Sequence, residues 1–118
     1  MLKGTPDQVR RARGLVHGFV VEGRLPTDAD VAVLLTSEIV TNALRHGRAP
    51  FRLTVEAVDG TLRVEVRDAG GNGRPTVRGA TPEDLGGRGL ALVDTLADAW
   101  GWQPDGTRGT VVWFELTA

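Results

Sequence analysis

Hydrophobic residues recur through the first part of the chain at the spacing of two amphipathic helices. Apolar positions three and four residues apart run through residues 6–21, and a second run covers residues 28–46. Residues 5–8 form a capping box with proline at the first helical position. Residues 27–30 give a second N-terminal signal. The pattern predicts two helices, the second ending at Gly47.

The middle of the chain changes to a period of two. Residues 51–58 and 61–67 alternate apolar and polar positions, and Asp59 and Gly60 lie between them. Two alternating runs separated by Asp-Gly are the strongest short-range signal for a β-hairpin. One face of each strand is therefore expected to be buried.

The rest of the chain predicts a long loop, a helix and two strands. Residues 69–87 have no sustained period, and loops of this length are usually functional. A helix is predicted at about 89–98, a short strand at 100–102, a turn at 104–106 and a final strand at 110–116. Helices followed by hairpin-linked strands indicate the α+β class, as a two-layer α/β sandwich whose mostly antiparallel sheet carries three helices on one face.

Composition narrows the function classes. The 118 residues of the chain are the size of one domain, and its net charge of −1 gives no support to nucleic-acid or membrane-surface binding. The absence of cysteine excludes disulfides and thiolate chemistry. Lys3 is the only lysine, and no glycine loop precedes it, so a bound nucleotide would not be held by a Walker A motif. A single domain over residues 1–118, cytoplasmic and without a membrane span, is the expectation.

Polar residues interrupt the apolar surface of the second predicted helix. Glu38, Asn42 and His46 lie four residues apart and continue an apolar stripe that begins at Val31 and Leu34. A carboxylate and an amide on a buried stripe are costly unless a partner satisfies them. Either a local hydrogen-bond ladder of the three residues or a bound ligand would do so.

Two further features are weak when taken singly. Asp68 ends a predicted strand directly before glycines, which is typical of a plain turn but also of a ligand site. Glycines at 86, 87 and 89 open the third predicted helix, where free N–H groups can bind phosphate.

Taken in order, these segments resemble a known superfamily. Residues 37–47 resemble the N-box of the GHKL ATPases, residues 66–70 resemble their first glycine box, and residues 87–93 resemble the second. Gly109 and Thr110 resemble their terminal Gly-Thr element. The compact length is most similar to the anti-sigma-factor serine kinase branch of that superfamily.

The resemblance implies a site for ATP and Mg²⁺. It implies that Asn42 is a Mg²⁺ ligand, that Glu38 is the general base, and that Asp68 accepts a hydrogen bond from the adenine amino group. The other nucleotide-binding residues that it implies are His46, Gly70, Gly87, Arg88, Gly89, Leu90 and Thr110.

The same resemblance implies a biological role. The chain would be an ATP-binding anti-sigma factor that phosphorylates serine or threonine in a STAS-type antagonist and that also holds a sigma factor. The strand that often precedes the first helix in the family is missing, so a homodimer is left in doubt. The alternative is a non-catalytic module that binds ATP in order to sequester a partner protein.

Overall fold

A computed structural model of the protein describes residues 6–47, 50–69, 88–105 and 109–117. Three helices and four strands follow one another in the described chain. They are α1 (Pro6–Glu22), α2 (Ala29–His46), β1 (Arg52–Val58), β2 (Thr61–Arg67), α3 (Arg88–Leu96), β3 (Ala99–Asp105) and β4 (Gly109–Leu116). Their type and order confirm the predicted α+β class.

The four strands form one antiparallel sheet in the order β1-β2-β4-β3. Val64 lies opposite Phe114, and Val66 lies opposite Val112 across the central pair of strands. α1 lies against β1, α2 against β2 and β4, and α3 against β3, so the helices cover one face of the sheet, as predicted. The largest fully buried side chains of this layer are Phe114, Leu35, Ile39 and Leu62. No helix in the described part of the chain is long and apolar enough to cross a membrane.

The ends of α2 follow the expected capping chemistry. The Asp28 carboxylate accepts hydrogen bonds from the backbone N–H groups of Asp30 and Val31, at 2.9 and 3.2 Å. At the other end, the N–H of Gly47 donates to the carbonyl of Ala43 at 2.7 Å. The helix is thus fixed at both ends, and its C-terminal end points toward the site described below.

The hairpin between β1 and β2 also forms as predicted. Asp59 and Gly60 have φ values of +52° and +82°. A two-residue turn with positive φ at both positions matches the right-handed twist of the strands that it joins.

β3 is longer than the sequence pattern predicts. The predicted strand covered residues 100–102 only, because Pro104 and Asp105 are typical turn residues. The structure instead pairs Pro104 with Thr110 and Asp105 with Gly109. β3 is an edge strand of the sheet, where proline's missing N–H removes no ladder hydrogen bond that the sheet needs.

The sheet face away from the helices carries an interlocked polar and aromatic cluster. Arg63 donates to Glu65 and to Glu115, each at 2.9 Å, and its guanidinium lies 4.2 Å from the centre of the Trp113 ring. Burial alone would lower the pKa of Arg63, but the hydrogen bonds to the two carboxylates raise it above its ordinary value. Trp113 therefore packs between Arg63 and the backbone of Gly101.

Candidate functional site

Three buried polar residues lie where the C-terminal end of α2 meets the centre of the sheet. Asn42 on α2, Asp68 directly after β2 and Thr110 on β4 are 5%, 7% and 4% exposed. The N–H of Asp68 donates to the carbonyl of Thr110 at 3.0 Å. Gly47, at the end of α2, lies against the Asp68 side chain. The fold thus brings Asp68 and Thr110 together and places both near the end of the helix that carries Asn42.

Asn42 has an unsatisfied oxygen. Its side-chain Oδ1 is buried and finds no hydrogen-bond partner in the described part of the chain. A buried acceptor without a partner destabilises a fold by about 1–3 kcal/mol, so binding of a water molecule, a cation or another ligand at this atom is favoured. The same holds for buried side-chain oxygens of Gln8, Thr27 and Thr36. In a ladder of these three residues only His46 could donate to this atom, because the Glu38 carboxylate is itself an acceptor. Asn42 Oδ1 accepts no bond from any described residue, and the side chain of His46 lies outside the description.

Glu38 occupies a different environment from the predicted one. The sequence places it on a buried stripe, whereas the structure leaves it only partly buried, and Leu34, one turn earlier, is 39% exposed. The expectation that the whole stripe is buried is wrong at its N-terminal end. Exposure decreases along the stripe, from Leu34 at the protein surface through Glu38 to Asn42 in the interior. Glu38 is therefore in partial contact with solvent and needs no buried counter-ion.

Asp68 does not behave as a plain turn residue. Its backbone continues the pairing of β2 with β4 by one residue, and its side chain is buried against the end of α2. An aspartate in a plain turn is usually exposed. The position instead suits a carboxylate that faces an internal site.

Two glycines surround Asp68, and the sequence alone gives no sign of this contact. A Cβ added at Gly47 would lie 2.7 Å from Cγ of Asp68, and one at Gly109 would overlap the Asp68 carbonyl group. The sequence alone predicts that Gly47 ends the second helix and that Gly109 belongs to the terminal Gly-Thr element. Their function as close-packing residues follows only from the way the chain returns on itself.

The remaining predicted residues belong to two neighbouring segments. His46 is the last residue of α2, and Arg88, Gly89 and Leu90 open α3, which packs against α2. Their side chains are not among those described, and Gly70 and Gly87 lie outside the described residues altogether. Most of the predicted loop at 69–87 falls outside them too.

The donor chemistry of the site fits ATP with Mg²⁺. Asn42 offers an amide oxygen, a ligand type that Mg²⁺ accepts. Within the described ranges, no group of three or more His, Asp or Glu residues could hold a metal ion unaided. A cation at Asn42 would therefore depend on oxygen atoms brought by the ligand, which is how Mg²⁺ is commonly held in phosphate-binding sites.

The fold and the site define a class of ATP-binding domain, and comparisons with known proteins agree. The family described as histidine kinase-like ATPase domain matches residues 2–116. The chain therefore belongs to the histidine kinase-like ATPase domain family, which is of the GHKL type. Among curated proteins, none matches the sequence significantly.

Two solved structures share the fold. The histidine kinase AdeS of Acinetobacter baumannii is 17% identical, with a TM-score of 0.56 over 76% of this chain and 47% of AdeS. Full-length ShkA in complex with AMPPNP is 23% identical, with a TM-score of 0.55 over 93% of this chain and 30% of ShkA. The chain thus spans less than half the length of either protein.

These findings confirm the superfamily part of the resemblance. They support ATP binding and a regulatory, kinase-type function in general terms. The solved neighbours are histidine kinases, so the anti-sigma-factor branch and the serine or threonine specificity belong to the proposal that follows.

Proposed function

We propose that this protein is an ATP- and Mg²⁺-binding anti-sigma factor that phosphorylates serine or threonine in a STAS-type antagonist and, in another state, holds a sigma factor. The unsatisfied, buried Oδ1 of Asn42 carries the nucleotide part of the proposal, because a cation beside a phosphate would satisfy it. The sequence motifs support the anti-sigma branch.

Each described residue of the site has a separate task in this proposal. Asn42 provides the oxygen ligand for Mg²⁺, and Asp68 accepts from the adenine amino group with Thr110 beside it. ATP and Mg²⁺, when bound, supply the phosphoryl group and neutralise its charge. Glu38, which is partly exposed, can reach a hydroxyl that arrives from a partner protein and accept its proton.

A non-catalytic binding module is the second candidate, and one observation favours it. A fully buried carboxylate would be hard to explain without catalysis, but Glu38 is only partly buried and can be solvated where it lies. Its presence is therefore compatible with a domain that binds ATP only to shape a surface for a partner.

The experiment measures nucleotide affinity and phosphoryl transfer on the same set of variants. Titration calorimetry gives the affinity for ADP with and without Mg²⁺, and radiolabelled ATP reports transfer to STAS-domain proteins of the source organism. Asn42→Ala should abolish the Mg²⁺-dependent affinity and the transfer together. Glu38→Gln should keep nucleotide affinity while transfer falls by a factor on the order of 10²–10⁴. Asp30→Asn, an exposed acid at the far end of α2, is the control.

The outcomes separate the candidates. Acid-stable label on the STAS protein supports serine or threonine transfer, whereas acid-labile label would indicate histidine chemistry and contradict the proposal. Nucleotide binding without transfer to any STAS protein would favour the binding module. Absence of nucleotide binding by the wild-type chain would reject both candidates.

A further inference from the structure

Gly47 and Asp68 are in closer contact than any other amino acid at position 47 would allow. A Cβ at Gly47 would lie 2.7 Å from both Cγ and Oδ2 of Asp68 and 2.8 Å from its Cβ. Carbon atoms in contact are optimally about 3.5–4.0 Å apart, so one of the two residues would have to move. Because Gly47 has only a hydrogen atom where other residues have a Cβ, the Asp68 carboxylate can occupy this space.

Backbone conformation does not explain this glycine. Glycine after a helix usually adopts a left-handed conformation. Gly47 instead has φ −104° and ψ −169°, an extended conformation that every residue type except proline can adopt. What sets glycine apart at position 47 is the missing side chain, and the atoms that a side chain would strike are those of Asp68.

The main chain of Asp68 is held from the other side. Its N–H donates to the carbonyl of Thr110 at 3.0 Å. A Cβ at Gly109 would overlap the Asp68 carbonyl and lie 3.3 Å from the carbonyl carbon of Ala69, so β4 already packs tightly on this backbone. A side chain at position 47 would consequently act on the Asp68 side chain, whose Cβ, Cγ and Oδ2 lie nearest to it.

We infer that Gly47 is a positioning residue that sets the direction of the Asp68 carboxylate and, through it, the preference of the site for adenine. The second part rests on the proposed nucleotide function, in which Asp68 reads the amino group of the base. The steric part stands on the contacts alone. Gly47 acts on the base end of the nucleotide, whereas the phosphate end is assigned to Asn42 and α3.

The test compares two nucleotides that differ at the group Asp68 would read. Inosine diphosphate has a keto oxygen in place of the adenine amino group, so the wild-type protein should bind ADP more tightly than inosine diphosphate. Gly47→Ala should weaken ADP binding by about tenfold to a hundredfold, the usual effect of losing a hydrogen bond to a charged group, and should remove the preference between the two nucleotides. A role in stability alone would leave that preference intact.

The Asp68→Gly background tests whether the effect passes through Asp68. Removing the Asp68 side chain makes room for a Cβ at position 47, so Gly47→Ala should cause no further loss of ADP affinity there. Gly14→Ala is the matched control, since no described atom outside its own helix backbone and chain neighbours would lie within 4 Å of the new Cβ. It should bind both nucleotides as the wild type does.

Every outcome bears on the inference. The inference would be overturned if Gly47→Ala bound ADP as tightly as the wild type does and kept the preference for ADP over inosine diphosphate. If Gly47→Ala does not fold, the Gly47→Ala/Asp68→Gly double variant should fold as Asp68→Gly does; failure of the double variant would show that the clash is not with Asp68. If the wild-type protein binds no ADP, both the proposed function and the role of Gly47 in adenine preference fail. Urea denaturation of the wild type, Gly47→Ala, Asp68→Gly and the double variant still tests the steric contact between Gly47 and Asp68.

Discussion

Asn42 and Thr36 lie on the same helix, and each has a buried side-chain oxygen that forms no hydrogen bond with a described residue. Both side chains are buried, and Asn42 lies near the end of the helix whose Gly47 contacts Asp68. A buried oxygen without a described hydrogen-bond partner therefore occurs both at Asn42, where a ligand is proposed, and at Thr36, where none is proposed. The two residues can separate stability from function.

Replacing either oxygen-bearing side chain with an apolar one of similar size should stabilise the protein in the absence of nucleotide. Asn42→Leu and Thr36→Val each remove a buried acceptor that has no described partner, so we expect the free energy of unfolding to rise by about 1–2 kcal/mol. Urea denaturation monitored by tryptophan fluorescence measures this change.

The two variants should differ when ADP and Mg²⁺ are added. Asn42→Leu should lose Mg²⁺-dependent affinity, and Thr36→Val should keep it. Lower stability in Asn42→Leu than in the wild type would show that Oδ1 is satisfied within the protein, and the argument for a cation at this atom would then fail.

At the residue scale, the sequence predicts which positions matter better than it predicts their surroundings. The spacing of Glu38 and Asn42 places both on one stripe of a helix, and the structure agrees. The difference in burial between the two depends on where neighbouring elements end, and one helix's periodicity holds no information about that. The contact of Gly47 with Asp68 joins residues 21 positions apart by sequence number, from a helix end and a strand end, and it escapes any local pattern for the same reason.

Helix α1 and the β1–β2 hairpin each contain a glycine with open space around it, but the two backbones differ. An added Cβ at Gly14 or at Gly60 would have no described atom within 4 Å, apart from those of the adjacent residues and, for Gly14, of the helix backbone around it. Gly14 is helical, while Gly60 has φ +82°. Any difference between alanine variants at these two positions therefore reports backbone conformation rather than packing.

We expect opposite signs for the two alanine variants. Gly14→Ala should raise the free energy of unfolding by about 0.5–1 kcal/mol, because alanine loses less chain entropy in a helix. Gly60→Ala should lower it by about 1–2 kcal/mol, because an L-residue is strained at positive φ. Urea denaturation of both variants measures the difference, and equal effects would contradict the turn geometry.

At the element scale, the sequence predicts the elements whose signals are local. The Asp28 cap and the Asp59-Gly60 turn are set by residues within a few positions of each other, and both form as expected. The length of β3 is different, because Pro104 is acceptable in a strand only at a sheet edge. That edge position depends on the order of all four strands, which the residues around Pro104 do not specify.

The candidate site is assembled from parts of the molecule that are distant in sequence. Asn42 comes from a helix, Asp68 from the end of β2 and Thr110 from β4, so the unfolded chain holds no preformed site. A ligand that binds only the folded state shifts the folding equilibrium by mass action. Nucleotide binding should therefore be visible as stability of the whole domain.

At a concentration of ADP and Mg²⁺ one hundred times the dissociation constant, stability should increase by about 2.7 kcal/mol. For a domain of this size, that corresponds to a rise in Tm of roughly 10 °C. Asn42→Leu should show a higher Tm than the wild type without ligand and a lower Tm with it. Calorimetric scans of both proteins, each with and without ligand, would contradict this if their order stayed the same.

The strand order also determines when the site can form during synthesis. β4 is the last of the four described strands in chain order, yet it lies inside the sheet between β2 and β3. While a ribosome is still making the chain, β2 lacks its inner neighbour, and the backbone of Asp68 has no Thr110 carbonyl to bond. A nascent chain halted before β4 emerges should therefore expose a sheet edge that chaperones can recognise, and it should acquire affinity for nucleotide only after that last strand is inserted.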